Sequence, residues 1–351
     1  MKKILFNLFL VSSFATTAQV LQTENFNALT VGNIGTDFTG AAAGQGGWST
    51  FSNNGTAPTT STNAGNTNFQ IVATGNSSSN GALFQGPNGD KGVRFMWKDG
   101  LPAAWTGRTT GNEIIEVEVD VNPGTRGTSR NRFGVSIFNA AGDRTLVGFS
   151  VSAATGELFL IAYSTPGANP VGNYSYNLAA APGVLLPENT WSRVGLSYNK
   201  TSGEVKIKAN FFTGGSLPLA GSSAGVDPAE VDFLISSGNA TATPNSTSAT
   251  MNFDNFVVRA TATETLLSTQ SNTITDNSFS IYPNPTSNVL NISNTNNFEI
   301  KNISVVDING RVVKNQSGAL TEINVSDLNT GVYFVTIETN EGKATKKFMK
   351  Q

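Results

Sequence analysis

An all-β chain of two sandwiches is the fold class predicted here, on three observations. Apolar and polar residues alternate with a period of two in segment after segment, the pattern of half-solvated antiparallel strands. No apolar stripe of helical spacing runs for three turns anywhere after Ala18. Gly, Asn, Ser, Thr and Pro, the residues that turns require, separate the alternating segments.

Taken in chain order, Lys2 and Lys3 precede an apolar run, Ile4 to Phe14, that is too short to span a bilayer. Thr16-Thr17-Ala18 then offers small residues to a signal peptidase, which predicts a signal peptide over 1–18, cleavage after Ala18 and export of the rest. The body, 19–260, carries alternation at Val93, Phe95, Trp97, at Phe133, Val135, Ile137, at Val194, Leu196, Tyr198, and at Val231, Phe233, Ile235. Two segments show both faces clearly: Ile115, Val117, Val119 and Val121 alternate with Glu116, Glu118 and Asp120, and Val205, Ile207, Ala209 and Phe211 alternate with Lys206, Lys208 and Asn210. Asn53 to Ser79 and Ser236 to Ser248 hold few apolar anchors and are expected as long surface loops. A Thr/Ser/Asn-rich run over 261–277 predicts a linker to the tail, 278–351.

The tail reads as a compact unit of about seven short strands, which predicts an immunoglobulin-like sandwich. Phe279 to Tyr282 and Val289 to Ile292 flank a rigid Pro283-Asn284-Pro285 turn, and Asn309-Gly310 is a strong hairpin signal because both residues tolerate positive φ. Tyr282-Pro283-Asn284-Pro285, Val289-Leu290-Asn291-Ile292, Val305 to Arg311, Leu328 to Tyr333 and the basic end Lys343, Lys346, Lys347 and Lys350 occur in order. With these motifs the tail resembles the type A C-terminal sorting domain of the type IX secretion system of Bacteroidetes. That resemblance implies outer-membrane secretion machinery as a partner, and release outside the cell or attachment to its surface. The positions that match are Asn284, Pro285, Gly310, Gly331, Tyr333, Lys346, Lys347 and Lys350. Read from the residues alone, the lysines are also what protects an edge strand from pairing.

The body more loosely resembles the jelly-roll, concanavalin-like and laminin-G-like domains. Glu24 to Leu29, Gly44 to Trp48, Thr190 to Val194, Tyr198 to Val205 and Met251 to Val258 carry the likeness. It implies a large jelly-roll β-sandwich, a fold that serves both glycan-binding modules and glycan-cleaving enzymes.

Composition narrows the chemistry. The 351 residues contain no cysteine and no histidine, which excludes catalysis by either, disulfides, and zinc, copper or haem sites built on them. A net charge of −2 argues against nucleic acid, and no transmembrane segment is expected in the mature protein. For glycan binding the candidates are Trp105, in the loop-like Pro102 to Gly107, with Arg108 beside it, and a second platform of Tyr174 and Tyr176. Trp97 shares the parity of Val93 and Phe95 and is expected in the core.

No catalytic residue is assigned; the carboxyls to test are Glu116 and Glu118, which stand about 7 Å apart if i and i+2 share a strand face. The alternative pairs them with a cross-strand basic stripe such as Lys206 and Lys208. Juxtaposed chain ends would bring Glu24 near Asp254, a set of oxygen ligands suited to a structural calcium; no other cofactor is expected. The function these residues predict is an exported glycan-binding module. A polysaccharide-degrading hydrolase or lyase and a non-catalytic adhesion or matrix protein are the alternatives.

Overall fold

A computed structural model describes residues 18–351 apart from 77–79, 218–222, 239–243, 268–278, 295–297, 299, 319 and 340–342. The body contains β1 (Gln19–Glu24), β2 (Gly32–Asn33), β3 (Trp48–Ser52), β4 (Phe69–Val72), β5 (Gly81–Gln85) and β6 (Val93–Lys98). A short helix α1 (Leu101–Thr106) leads to β7 (Ile114–Asn122), β8 (Arg132–Asn139), β9 (Thr145–Ser152), β10 (Leu158–Ser164) and β11 (Gly172–Asn177). The body closes with β12 (Ser192–Asn199), β13 (Val205–Ala209), β14 (Phe212–Leu217), β15 (Pro228–Ser236) and β16 (Thr250–Thr261).

These strands form two antiparallel sheets that pack face to face, as the jelly-roll expectation requires. One has nine strands in the order β14-β13-β12-β7-β16-β5-β4-β2, with β1 also on β16; the other has seven, β11-β10-β9-β8-β15-β6-β3. The alternating apolar residues of β7, β8, β12 and β15 all face the space between the sheets and are buried there. Burial of many such side chains, each worth about 1.5–3 kcal/mol, substitutes for the disulfides the chain lacks.

Four expectations are corrected. In β6 the parity is the reverse of the one expected: Arg94 and Met96 are buried inward, while Val93, Phe95 and Trp97 face outward. The register decides this, since Met96 lies opposite the core residue Phe233 and Trp97 opposite Asp232. Arg94 tolerates the interior because its guanidinium donates to the carbonyls of Asn53 and Val93 and to Asn63 Oδ1. Phe211 lies in a turn and is exposed, because β13 ends at Ala209. The expected loop 53–79 contains β4, whose Phe69 and Ile71 are buried. Before it, side chains tie the polar stretch down: Asp90 accepts from Thr60, Asn63 donates to the carbonyl of Gly86, and Asn68 accepts from Ser52. Finally, the expected linker begins inside the body, since Thr261 closes β16 and Leu266 is buried against Gly195 of β12.

The tail holds β17 (Phe279–Tyr282), β18 (Val289–Asn294), β19 (Ile300–Asp307), β20 (Val312–Ser317), β21 (Glu322–Asn324), β22 (Gly331–Thr339) and β23 (Lys343–Lys350). Sheets β17-β18-β21 and β20-β19-β22-β23 enclose Phe279, Leu290, Ile303, Val305, Val335, Ile337 and Phe348, the seven-stranded sandwich expected.

Candidate functional site

The two outer faces of the body differ. On the nine-stranded sheet the outward residues of β7 are acids, and all three are sealed. Arg193 bonds Glu118 and Asp120 at 3.1 Å each, and Arg259 bonds Glu118 at 3.0 Å. Over them folds the segment 264–267. Thr265 donates its backbone N–H and hydroxyl to Glu116, Leu267 donates its N–H to Glu118 at 3.0 Å, and Lys208 holds Glu264 at 2.9 Å. Burial pushes Glu116 up to about 7. Burial also raises Glu118, but Arg259 and Arg193 outweigh it and hold that carboxyl at about 2. Glu116 and Glu118 therefore face no open surface, which corrects their candidacy as catalytic carboxyls. Pairing with basic residues is the observed arrangement, with Arg193 and Arg259 in place of the expected Lys206 and Lys208.

The expected aromatic platforms also prove to be structural. Trp105 lies in α1, not in a loop, and is 2% exposed. Its Nε1–H donates to Asp227 at 2.7 Å, and Arg108, paired with Glu113, stacks 3.9 Å from its ring centroid. Tyr174 and Tyr176 lie opposite Ala162 and Leu160, the inward residues of β10. Tyr176 packs against the core and bonds Ser164, and the Tyr174 hydroxyl donates to the carbonyl of Pro170 at 2.6 Å. These four side chains form no common surface.

Glu24 accepts from Trp48 Nε1 at 3.1 Å and from the N–H of Phe26, while Asp254 accepts from the N–H groups of Asn76 and Asn255. Protein donors thus take both carboxylates expected as calcium ligands. Among the described residues there is no group of three or more acids placed to hold a metal ion.

The outer face of the seven-stranded sheet carries half-buried aromatic side chains over a buried floor of small residues, and sequence reasoning missed it. Phe51 of β3, Phe95 and Trp97 of β6 and Leu234 of β15 stand half-buried along one side; Phe51 and Phe95 have ring centroids 6.1 Å apart. Phe159, Ile161 and Tyr163 of β10 line the other. Between them the floor is Gly134 and Ser136 of β8 opposite Ser150 and Gly148 of β9. This floor has to stay small: a Cβ on Gly134 would meet the carbonyl oxygen of Phe149 at 1.8 Å, and one on Gly148 would meet Ser136 Oγ at 2.3 Å. Low floor and aromatic sides make a trough that runs along the strands.

Two acids belong to the same face. Asp232, 5% exposed, lies between Trp97 and Ser136, and Glu230 hydrogen-bonds to it. Burial first, and then Glu230, push the Asp232 carboxyl up to about 9, so it carries a proton at neutral pH. Asp232 Oδ1 and Ser150 Oγ, both buried, have no hydrogen-bond partner among the described residues. Glu230 also lines a cavity of about 450 Å³ with Lys98, Asp99, Pro102 and Asn139 at the end of this face. The available signal was a strand with apolar residues at both parities, Leu158 to Tyr163, since a solvated outer face would alternate with polar ones.

In the tail, Asn284 clamps the last strand, donating to the carbonyl of Lys347 at 3.1 Å and accepting from the N–H of Met349 at 2.9 Å. Pro285 follows it in the turn, and Gly310 takes φ of 79° in the hairpin, where Asp307 accepts from Asn309 and Arg311. Gly331 opens β22, and Tyr333 stacks on Phe348 with centroids 5.6 Å apart. Lys347 is exposed, Lys346 half-buried and Lys350 buried along β23.

Residues 280–351 match the family described as "Secretion system C-terminal sorting domain". The tail is a C-terminal sorting domain of type IX secretion. It directs the protein to the cell surface or beyond. The expected signal peptide lies outside the described residues except for Ala18, and no described helix is long and apolar enough to cross a membrane. No curated protein matches the chain. Among solved structures, alginate lyase vAL-1 from Chlorella virus is 12% identical, with 69% of this chain and 99% of that one covered at a TM-score of 0.41. A mutant of alginate lyase Aly36B in complex with alginate trisaccharide is 14% identical over 70% and 98%, with a TM-score of 0.43. The cellulose induced protein Cip1 is 14% identical over 65% and 96%, with a TM-score of 0.37. All three are distant likenesses.

Proposed function

We propose that the body is an extracellular glycan-binding module, delivered by an N-terminal signal peptide ending at Ala18 and by the sorting tail, and that its ligand lies in the trough on the seven-stranded sheet. The trough itself carries this reading: half-exposed Phe51, Phe95 and Trp97 face Phe159, Ile161 and Tyr163 across a floor of Gly and Ser. Ring faces pack against the C–H faces of sugars, while exposed polar side chains beside them, such as Ser175, exchange hydrogen bonds with sugar hydroxyls. The opposite sheet supports it by contrast, since its outer charges are paired and covered by 264–267. The test is a glycan array probed with the mature chain. Binding to a defined glycan class, weakened by Trp97→Ala, supports the reading; no binding to any arrayed glycan refutes it. Alginate, named for two of the distant likenesses, belongs on the panel.

A second reading, glycan cleavage, is favoured by the Glu230–Asp232 pair, because a carboxyl that keeps its proton at neutral pH can act as a general acid. Release of new reducing ends from a bound glycan, abolished by Asp232→Asn, would establish it. In that reading the catalytic carboxyls stand on β15, not on β7.

A further inference from the structure

We infer that the trough takes an anionic polysaccharide, whose acidic groups are gripped by Arg132 and Arg144. This rests on the glycan reading above and names the class of glycan.

The nine arginines of the chain fall into distinct groups. Five of them, Arg108, Arg126, Arg193, Arg259 and Arg311, are paired with carboxylates. Arg94 is buried among carbonyl and amide oxygens. Arg130, Arg132 and Arg144 have no carboxylate within salt-bridge distance among the described residues, and Arg132 and Arg144 lie on the trough. The Arg132 guanidinium is 4.0 Å from the centroid of the Phe159 ring and that of Arg144 is 4.8 Å from the centroid of Tyr163. A guanidinium stacked on an aromatic face keeps its edge N–H groups available for hydrogen bonds, the geometry that pairs a carboxylate or sulfate in a fork. Among the described residues, Arg132 donates one hydrogen bond, at 3.3 Å, to the exposed Ser175.

The spacing selects a polymer. Phe159 and Tyr163 stand four residues apart on one face of β10, about 13 Å along the strand, and each carries one of the two guanidinium groups. Ile161 between them is half-buried and apolar, suited to a ring face. A ligand touching both arginines has to be extended and has to carry acidic groups at more than one position.

Local charge permits this although the chain is net negative. Of the two acids on this face, Asp232 is buried and pushed up to about 9, so it is uncharged at neutral pH, while Glu230, also raised by burial, stands at the end of the face beside the cavity. Arg130 adds positive charge beside Arg132. Glu157, the one carboxylate that acts on Arg132, accepts from Asn177 at 2.8 Å at the edge of the face.

The test measures affinity of the full mature chain for polygalacturonate, heparin and neutral dextran by affinity gel electrophoresis at low and high salt. Polygalacturonate and heparin separate carboxylate from sulfate as the recognised group. The wild type is expected to bind at least one anionic polymer more than tenfold tighter than dextran, with affinity falling as salt rises. The Arg132→Gln/Arg144→Gln variant is expected to lose that preference. The Arg132→Lys/Arg144→Lys variant keeps the charge but loses the fork, and is expected to fall several-fold between the two, which guards against a folding defect in the first. Equal or tighter binding of dextran by the wild type, or an undiminished anionic preference in both variants, overturns the inference and leaves glycan binding standing. Absence of binding to all three polymers also overturns the inference, and absence of binding to every glycan on the array overturns the glycan reading with it.

Discussion

Leu267 donates its backbone N–H to Glu118 across 149 residues of sequence, at 3.0 Å. The connection between the two sandwiches is therefore, in its first six residues, a strap that completes the larger one. Its side chains confirm the role: Leu266 is 2% exposed, and Thr265 bonds Glu116 through its hydroxyl at 2.6 Å. Leu266→Ala is expected to lower unfolding stability by about 2–3 kcal/mol, because it empties a buried site. Urea denaturation of the full chain checks this, and an unchanged midpoint would place the strap outside the cooperative unit.

Glu118 balances two guanidinium groups in a sealed environment. Glu118→Gln is expected to cost about 3 kcal/mol, since removing one member of a buried ionic set leaves the others unbalanced. The same variant, and Glu116→Gln, are expected to leave glycan binding intact once folded. Loss of binding in a fully folded Glu116→Gln protein would contradict the assignment of these acids to structure.

Stability against pH follows from three carboxyls. Glu118 has a folded pKa of about 2, below its ordinary 4.5, so its contribution is present above that ordinary value and is lost as pH falls towards 2. Glu116, raised to about 7, and Asp232, raised to about 9, act in the other sense. Their contribution is full below their ordinary values of 4.5 and 3.8 and is lost as pH rises through 7 and 9. Stability is thus expected to decline from pH 5 to pH 9, and Asp232→Asn should flatten that decline. An identical slope in the variant would show that Asp232 ionises normally in the folded protein.

The sorting tail depends on Asn284, whose amide joins the turn after β17 to the edge strand β23. Asn284→Ala removes two hydrogen bonds and is expected to cost about 1–2 kcal/mol in the tail. A chain lacking 278–351 is expected to accumulate in the periplasm, as fractionation of producing cells would reveal. Its normal appearance outside the cell would refute the sorting role.

Period-two alternation was enough to read the cores of β7, β8, β12 and β15, because one face of each is uniformly apolar. It misled at β6, where both parities carry large apolar groups and only the neighbouring strands decide which turns inward: Met96 meets Phe233, and Arg94 finds carbonyls. Trp105 read as exposed because its partners, Asp227 and the stacked Arg108, are contributed by the fold. The sealed acids of β7 looked available because their cover comes from a distant part of the chain. The trough was hidden for a related reason: it assembles one to three residues from each of β3, β6, β8, β9, β10 and β15, strands far apart in sequence.

The central claim is that this trough binds glycan. Isothermal titration of the full mature chain, with the tightest-binding glycan from the array, tests it most directly when repeated on Trp97→Ala and Tyr163→Ala. Both side chains stand half-buried on the outer face, one on each side of the floor, Trp97 offering a ring face and Tyr163 carrying the stacked Arg144, and each variant is expected to lose about tenfold in affinity, about 1.4 kcal/mol. Wild-type affinity in both variants would place the ligand elsewhere and contradict the account.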